Sequence, residues 1–497
     1  MKRPGALSAT TVLVAAGLGL SHLLGPVPAE RTGAAETTPV VGVTAVCPDL
    51  RQAAGLLETR VSVGAAPLPG APAGQGGQVD AIALHDKGTP VVLPLDHPGQ
   101  VTVGLGSTLD GDALVVHARG PVAAGLEVEQ VTRGERGPGR GFSGLRCQAP
   151  TTEAWFVGGS TVVGDDSLLV MANPDESSAL VDVTVFTSTG PVQARAGEGL
   201  PIGPHERGVI QLDTLAPDRD LLAVHVKVRR GRVASALRHT RWDGHVSRGV
   251  EWVPQSLPPS QDVVVPGLPS GPGRRTVLVS NPGPDDTVVS VRLTTADGQF
   301  VPTGLDALAV PAGTTVSREI TPLLMSTPAA VRVHSEGAPV LAGAFVYDAQ
   351  EGKIREFSYA GAARPLSGVA EITDLVINRP TESTLILSAL GDQDASVDVT
   401  PVPIVGLPGP LPAAKTVKVP AGRTVVLRMS TFLKPGATGR LAVEIRPSAG
   451  SGPVYAARYL NEHGAKGPLT TLLDLQGAAQ RVVRPVAAAD VGTAPAG

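Results

Sequence analysis

The chain contains internal repeats with a period slightly above one hundred residues. Three copies begin with an apolar segment that runs into a turn, at residues 168–174, 277–282 and 385–388. The closing residues Asn173, Asn281 and Ala389 are separated by 108 positions each time. A chain with such a repeat must fold as a series of similar units, each of which is about one hundred residues long.

The second segment of each copy alternates apolar and polar residues. In the first copy Val181 and Val183 share one face of an extended segment, and Asp182 lies on the other. This period of two is typical of a half-buried strand. The pattern predicts a β-hairpin at the start of each copy, with Val183, Val291 and Val399 buried at equivalent places.

The spacing of strands and turns predicts the fold class. Strands of about six residues, separated by turns about every ten residues, are typical of two-sheet sandwiches. We expect an all-β protein of about four tandem immunoglobulin-like β-sandwich modules, with one short helix at 51–59. The expected organisation is 1–29 as a signal peptide or uncleaved anchor, 40–150 as a divergent module stapled by a disulfide, 151–260, 261–368 and 369–482 as sandwich modules, and 483–497 as a disordered tail.

The N-terminus has the pattern of an export signal. Lys2 and Arg3 precede an apolar stretch at 11–24, and small residues at 27–29 offer a cleavage site. The stretch is shorter than the ~20 residues that span a bilayer, so an uncleaved anchor is the second interpretation. The protein is expected to be secreted or to lie on the extracellular face of the cell envelope. It would touch the membrane only through this segment, if the segment is not cleaved.

The two cysteines, Cys47 and Cys147, lie at the ends of the first module. An even number of cysteines in an exported chain favours a disulfide. A reactive thiol pair or a metal site is the alternative, but neither cysteine has a second Cys or His at ligand spacing. The sequence therefore predicts a Cys47–Cys147 disulfide.

Charge and motifs exclude several classes of function. The chain has 41 Lys and Arg against 45 Asp and Glu, whereas a nucleic-acid-binding protein usually has a clustered basic excess. Residues 141–144 are not a nucleophile elbow, because Leu145 stands where that motif needs Gly. The glycine-rich run at 133–141 precedes no helix that could cradle a phosphate, which predicts a mobile loop. We expect no nucleic-acid partner, no cofactor and no enzymatic activity.

Acidic residues recur in the first turn of each copy, among them Asp175, Asp286 and Asp394. Repeated acidic turns could supply the oxygen ligands of a calcium site. Asp also favours turns because its side chain hydrogen-bonds nearby backbone groups, and this interpretation is preferred. The sequence therefore predicts no metal site.

One short segment gathers side chains that are scarce elsewhere in the chain. It contains Trp242, Trp252, Arg238, Arg241 and His239. Indole rings stack on sugars and cations, and guanidinium groups bind hydroxyls, carboxylates or phosphates. These five residues are the predicted ligand-binding site.

A structural role for the tryptophans is the competing interpretation. Large aromatic side chains are normally buried. Trp242 and Trp252 would then plug the joint between the second and third modules, and Trp155 would occupy the corresponding joint between the first and second.

Several segments resemble a family of exported actinobacterial proteins that is classified as a domain of unknown function. They lie at 47–50, 147–150, 155–159, 169–174, 251–254 and 263–267. The resemblance implies an exported protein without an assigned activity. It also implies partners in envelope-polymer biology, either an envelope glycan or a complex associated with a membrane glycosyltransferase. It transfers no catalytic residue.

Two functional hypotheses remain. The first is a non-catalytic cell-envelope protein, a structural scaffold or a binding module for an envelope polymer or protein partner. The alternative is an enzyme that acts on envelope glycans. The repeats favour the first, because an active site usually lies in one copy with longer loops and these copies match in length to within a few residues.

Overall fold

The computed structural model describes residues 37–48, 57–68, 76–86, 88–104, 112–137, 139–192, 194–324, 327–349, 353, 355–377, 380–407, 409–433, 439–464, 466–478 and 481–483. The expected signal segment and residues 484–497 of the expected tail lie outside these ranges. Strands dominate the described residues, which confirms the all-β class. Residues 40–480 form one compact unit. In a second unit, β1 (Thr37–Pro39) pairs antiparallel with β37 (Arg481–Val483).

The first module consists of two four-stranded antiparallel sheets. Its strands are β2 (Gly42–Cys47), β3 (Leu57–Ala65), β4 (Gln78–Ala83), β5 (Val91–Leu93), β6 (Gln100–Val103), β7 (Leu114–Arg119), β8 (Leu126–Gly134) and β9 (Gly141–Arg146). The sheet orders are β2-β7-β4-β5 and β6-β3-β8-β9. Cys47 and Cys147 form the predicted disulfide, with their Cα atoms 4.5 Å apart.

The prediction of a helix at 51–59 is wrong for residues 57–59. Leu57 begins β3, which pairs along its whole length with β8, and this ladder satisfies the backbone groups that a helix would otherwise bond internally. Residues 51–56 lie outside the described residues.

The other three modules are also built from two antiparallel sheets each. The second contains β10 (Glu153–Val157), β11 (Asp165–Asn173), β12 (Ala179–Thr187), β13 (Gly190–Val192), β14 (Leu200–Ile202), β15 (Glu206–Gln211), β16 (Ala223–Arg230), β17 (Ala234–Asp243), β18 (Val246–Val253) and β19 (Gln255–Ser256). The third contains β20 (Asp262–Leu268), β21 (Gly273–Ser280), β22 (Thr287–Thr295), β23 (Gln299–Phe300), β24 (Leu308–Val310), β25 (Thr315–Glu319), α1 (Thr321–Leu324), β26 (Ala329–Ser335), β27 (Leu341–Asp348) and β28 (Glu356–Ala360). The fourth contains β29 (Ala370–Ile377), β30 (Thr381–Ala389), β31 (Ala395–Val402), β32 (Lys415–Val419), β33 (Arg423–Arg428), α2 (Met429–Phe432), β34 (Gly439–Pro447), β35 (Tyr455–Gly464) and β36 (Gly467–Leu475).

One sheet has the same strand order in all four modules. The orders β15-β11-β17-β18, β25-β21-β27-β28 and β33-β30-β35-β36 repeat the β6-β3-β8-β9 order of the first module. The predicted core positions Val183, Val291 and Val399 are 3%, 0% and 0% exposed, as the alternation requires. The fold class inferred from the repeats is therefore confirmed.

Asparagine and aspartate side chains explain the repeated turns. Asn173 Nδ2 donates to the carbonyl of Ser177, and the equivalent Asn281 Nδ2 donates to that of Asp285, each at 2.8 Å. The acidic turn residues also bond to backbone: the carboxylates of Asp286 and Asp394 accept the N–H groups of Ala312 and Ala421, each at 2.8 Å. These two bonds span 26 and 27 positions and hold the turn against the proline-led connection that follows, whereas the turn interpretation expected bonds to backbone within the turn.

The last strands of the four modules close them into a ring. β9 contacts β18, β18 contacts β28, β28 contacts β36, and β36 contacts β9. Glycines permit this close approach: a Cβ on Gly141 would lie 2.7 Å from the backbone nitrogen of Val250, and one on Gly249 would lie 2.1 Å from Glu356 Oε1. Arg140 of the first module pairs with Glu356 of the third at 3.0 Å. Because β36 contacts β9, the fourth module packs directly against the first.

Candidate functional site

The junction between the first and fourth modules holds a cleft of about 400 Å³, which we call the junction cleft. Charged side chains of both signs line it. The arginines are Arg60, Arg133, Arg440 and Arg458, and the carboxylates are Glu58, Glu135, Asp374 and Glu462. The lining charges are equal in number, so the cleft has no formal net charge.

Strand alternation places these side chains in the cleft. Along β3, Arg60 faces the cleft while the next residue, Val61, is fully buried in the core of the first module. Along β35, Arg458 and Leu460 face the cleft, whereas Tyr459 between them lines a different cavity. Successive residues of a strand point to opposite faces, so the same strand can contribute side chains both to a core and to a cleft.

The Asp374 carboxyl group has hydrogen-bonding capacity that the protein does not use. Its side chain is 10% exposed, with Arg440 Nε 3.6 Å from Oδ1 and Arg60 Nε 3.9 Å from Oδ2. Both distances exceed those of a hydrogen bond. Oδ1 has no hydrogen-bond partner among the described residues. Burial raises the pKa of Asp374, although the charges of Arg60 and Arg458 act to lower it.

The Glu462 carboxylate, unlike that of Asp374, is held by several hydrogen-bond donors. Arg133 donates to its two carboxylate oxygens at 2.8 and 2.5 Å and to Glu135 at 2.7 Å. Thr381 Oγ1 donates a further hydrogen bond to Glu462 at 3.0 Å. The hydrogen bonds from Arg133 lower the pKa of Glu462, which is therefore ionised. This group forms a charge-paired wall of the cleft.

An apolar surface lies beneath the charged groups. Phe142 of the first module and Leu460 of the fourth are 3% and 4% exposed and belong to one hydrophobic cluster. Val131 is half-buried against them. A cleft of a few hundred Å³ with an apolar floor and a few oriented polar groups has the usual character of a small-ligand site.

The ligand-binding residues predicted from the sequence do not share one surface. Cross-strand pairing puts Arg238, Trp242 and Trp252 on one face of the β17–β18 hairpin, and His239 and Arg241 on the other. His239 and Trp252 are buried, at 1% and 4% exposure, while the other three are half-buried.

These residues mostly contact other side chains of the protein. His239 Nδ1 lies 2.8 Å from the Tyr359 hydroxyl of the third module. The Arg241 guanidinium lies 5.8 Å from the ring centre of Tyr347. Trp252 packs with Leu145 and Ala236, so it fills the joint between the first and second modules rather than the second and third. The reason is that the closing strands meet around the ring and not only in chain order.

The aromatic contacts of Trp155 lie within the second module, whereas the sequence predicts a position at the joint with the first. Its ring stacks on His225 of the same module, with centroids 3.6 Å apart. Its Nε1 donates to Glu153 at 3.2 Å. Trp155 therefore stabilises the pairing of β10 with β16 inside the second module.

Sequence reasoning missed the junction cleft. A signal for it exists, because charged residues interrupt strands that are otherwise apolar. Glu371 and Asp374 do so in β29, and Arg458 does so in β35. A charge in such a strand has to face a partner module or a cavity.

Residues 104–430 match the profile of a family without an assigned activity. The chain belongs to the family of unknown function DUF5719. The matched range includes Arg133 and Asp374 of the junction cleft, whereas Arg440 and Arg458 lie beyond it. No curated protein matches the chain. Within the described ranges no helix is long and apolar enough to cross a membrane.

Proposed function

We propose that this protein is an exported, non-catalytic cell-envelope module that binds a polymer, and that the junction cleft holds uncharged sugar residues of that polymer. The observation that carries the proposal is the balanced set of charges around the unsatisfied Asp374 carboxyl group. The N-terminal sequence pattern and the Cys47–Cys147 disulfide support export.

The chemistry of the cleft suits a hydroxyl-rich ligand. Oδ2 of Asp374, 3.9 Å from the nearest Arg60 nitrogen, can accept a hydrogen bond from a hydroxyl group, and Arg440 can donate one to an oxygen. Val131, which is half-buried over Phe142 and Leu460, offers an apolar contact for the C–H face of a sugar ring. A polyanion fits less well, because it would compete with Glu462 for Arg133.

An enzyme acting on envelope glycans is the second candidate. Its support is that one cleft holds a carboxyl group with a raised pKa, Asp374, and one with a lowered pKa, Glu462, which is the pattern of an acid and a base. Both oxygens of Glu462 are already occupied by Arg133, and Thr381 adds a third hydrogen bond. These three hydrogen bonds stabilise the Glu462 carboxylate and lower its pKa, which makes it a weak base and a weak nucleophile, so we favour binding.

Glycan binding tests the proposal directly. Oligosaccharides released from the producing cell's envelope by partial hydrolysis are titrated calorimetrically into the full, oxidised protein. We expect saturable binding that is at least tenfold weaker in Asp374→Asn and unchanged in Asp392→Asn, which alters an exposed turn residue. Equal affinity of Asp374→Asn and the wild type would contradict the proposal. Release of new reducing ends during incubation would favour the enzyme.

A further inference from the structure

A second pocket, of about 360 Å³, lies between the tips of the β8–β9 and β35–β36 hairpins. We call it the tip pocket. Glu135 and Glu462 line both this pocket and the junction cleft, so the two spaces adjoin. Its other charged lining residues are Arg136, Arg140 and Lys466.

The cations of the tip pocket exceed its available anions. Both acidic residues, Glu135 and Glu462, already accept hydrogen bonds from Arg133. Arg136 and Lys466 are exposed, and in the described part of the chain neither of them forms an ion pair. The pocket therefore differs from the neighbouring cleft, where the lining charges balance.

Arg140 adds a third, buried cation. It is 3% exposed, and it donates to Glu356 at 3.0 Å and to the Pro468 carbonyl at 2.8 Å. Its Nε has no hydrogen-bond partner among the described residues. Glu356 pairs with Arg140 from the side of the third module, so Arg140 lies behind the two exposed cations as a fixed, buried member of the pocket wall.

We propose that the tip pocket binds an anionic oxyacid group, a phosphate or a carboxylate, carried by the saccharide that occupies the junction cleft. This inference rests on the proposed function. Guanidinium and ammonium groups recognise such oxyanions through charge-assisted hydrogen bonds. The two exposed cations without an ion pair, Arg136 and Lys466, lie at the end of a neutral cleft and would select a sugar chain with one acidic substituent. The glycine-rich run at 133–141 would supply two of the pocket's cations, Arg136 and Arg140, without the helix that a phosphate-binding loop usually needs.

Inorganic phosphate and acetate serve as the probes for the test. Each is titrated at low ionic strength into the full, oxidised protein, and phosphate binding is followed by ³¹P line broadening. We expect saturable binding of at least one anion, weakened at least tenfold in the double variant Arg136→Ala/Lys466→Ala. The matched control Arg318→Ala/Lys418→Ala removes two exposed cations elsewhere and should bind as the wild type does. The tighter-binding anion identifies the acidic group.

Two results would overturn the inference: the absence of saturable binding by either anion, or equal losses in the two double variants. Both substituted side chains are exposed, so folding should be preserved, and circular dichroism verifies it. Asp374→Asn separates this inference from the proposed function, because it should lose saccharide and keep phosphate. If saccharide binding survives in that variant while phosphate still depends on Arg136 and Lys466, the cleft proposal fails and the anion pocket stands.

Discussion

Replacing Glu371 with Gln should remove a pH-dependent loss of stability at the interface of the first and fourth modules. Glu371 is 2% exposed, and neither carboxylate oxygen has a hydrogen-bond partner in the described structure. The side chain packs on Gly64 of the first module, where an added Cβ would lie 1.9 Å from Oε2. Burial, and then the nearby charges of Glu444, Glu127 and Glu129, raise the pKa of Glu371 well above 4.5.

The sign follows from proton binding in the two states. Below about pH 4.5 Glu371 is protonated in the folded and unfolded chains alike, and it adds no pH dependence. Above that pH the unfolded chain releases the proton while the folded chain keeps it. The free energy of unfolding then falls by about 1.4 kcal/mol per pH unit until the folded pKa is reached. Gln has the shape of the neutral acid and no proton to lose.

Guanidinium chloride unfolding between pH 4 and pH 8 measures the effect. Glu371→Gln should match the wild type near pH 4 and become steadily more stable than it as the pH rises. Glu336→Gln, which changes an exposed glutamate, should follow the wild-type curve. Parallel pH profiles of the wild type and Glu371→Gln would refute the reasoning, because they would mean that the carboxyl group is solvated in the folded protein.

Two further predictions concern the residues that hold the modules. Trp252→Ala should lower the free energy of unfolding by about 3–5 kcal/mol, because it leaves a cavity beside Leu145 and Ala236. Thermal and urea unfolding measure this loss. A loss below about 1 kcal/mol, together with weakened glycan binding, would instead indicate a recognition role. Cys47→Ser/Cys147→Ser should cost about 2–5 kcal/mol, because the disulfide closes a loop with a sequence separation of 100 residues; unfolding that is insensitive to reductant in the wild type would contradict this.

The fold within each module could be predicted because its signals are local. The alternation around Val183 and its equivalents, 108 residues apart, fixes which face of a strand is buried. The disulfide follows from the even cysteine count and the export pattern.

The candidate site could not be predicted because its contacts join distant parts of the chain. Arg133 and Glu462 are 329 residues apart, and the fourth module contributes Asp374 from a strand that no repeat pattern relates to β3. Because the modules form a ring, Trp252 also lies at the joint between the first and second modules, which chain order does not suggest. The composition of the run at 133–141 predicts a mobile loop, whereas Arg140 at its end is buried in the ring. Local sequence patterns carry no information about which modules meet across such a ring.

A crystal structure of the protein soaked with oligosaccharides from the producing cell's envelope tests the central claim most directly. We expect a sugar residue in the junction cleft, with a hydroxyl group within hydrogen-bond distance of Asp374 and its ring against Val131. Density for the sugar along the β17–β18 hairpin beside Trp242 or Arg241, with nothing in the cleft, would contradict the account.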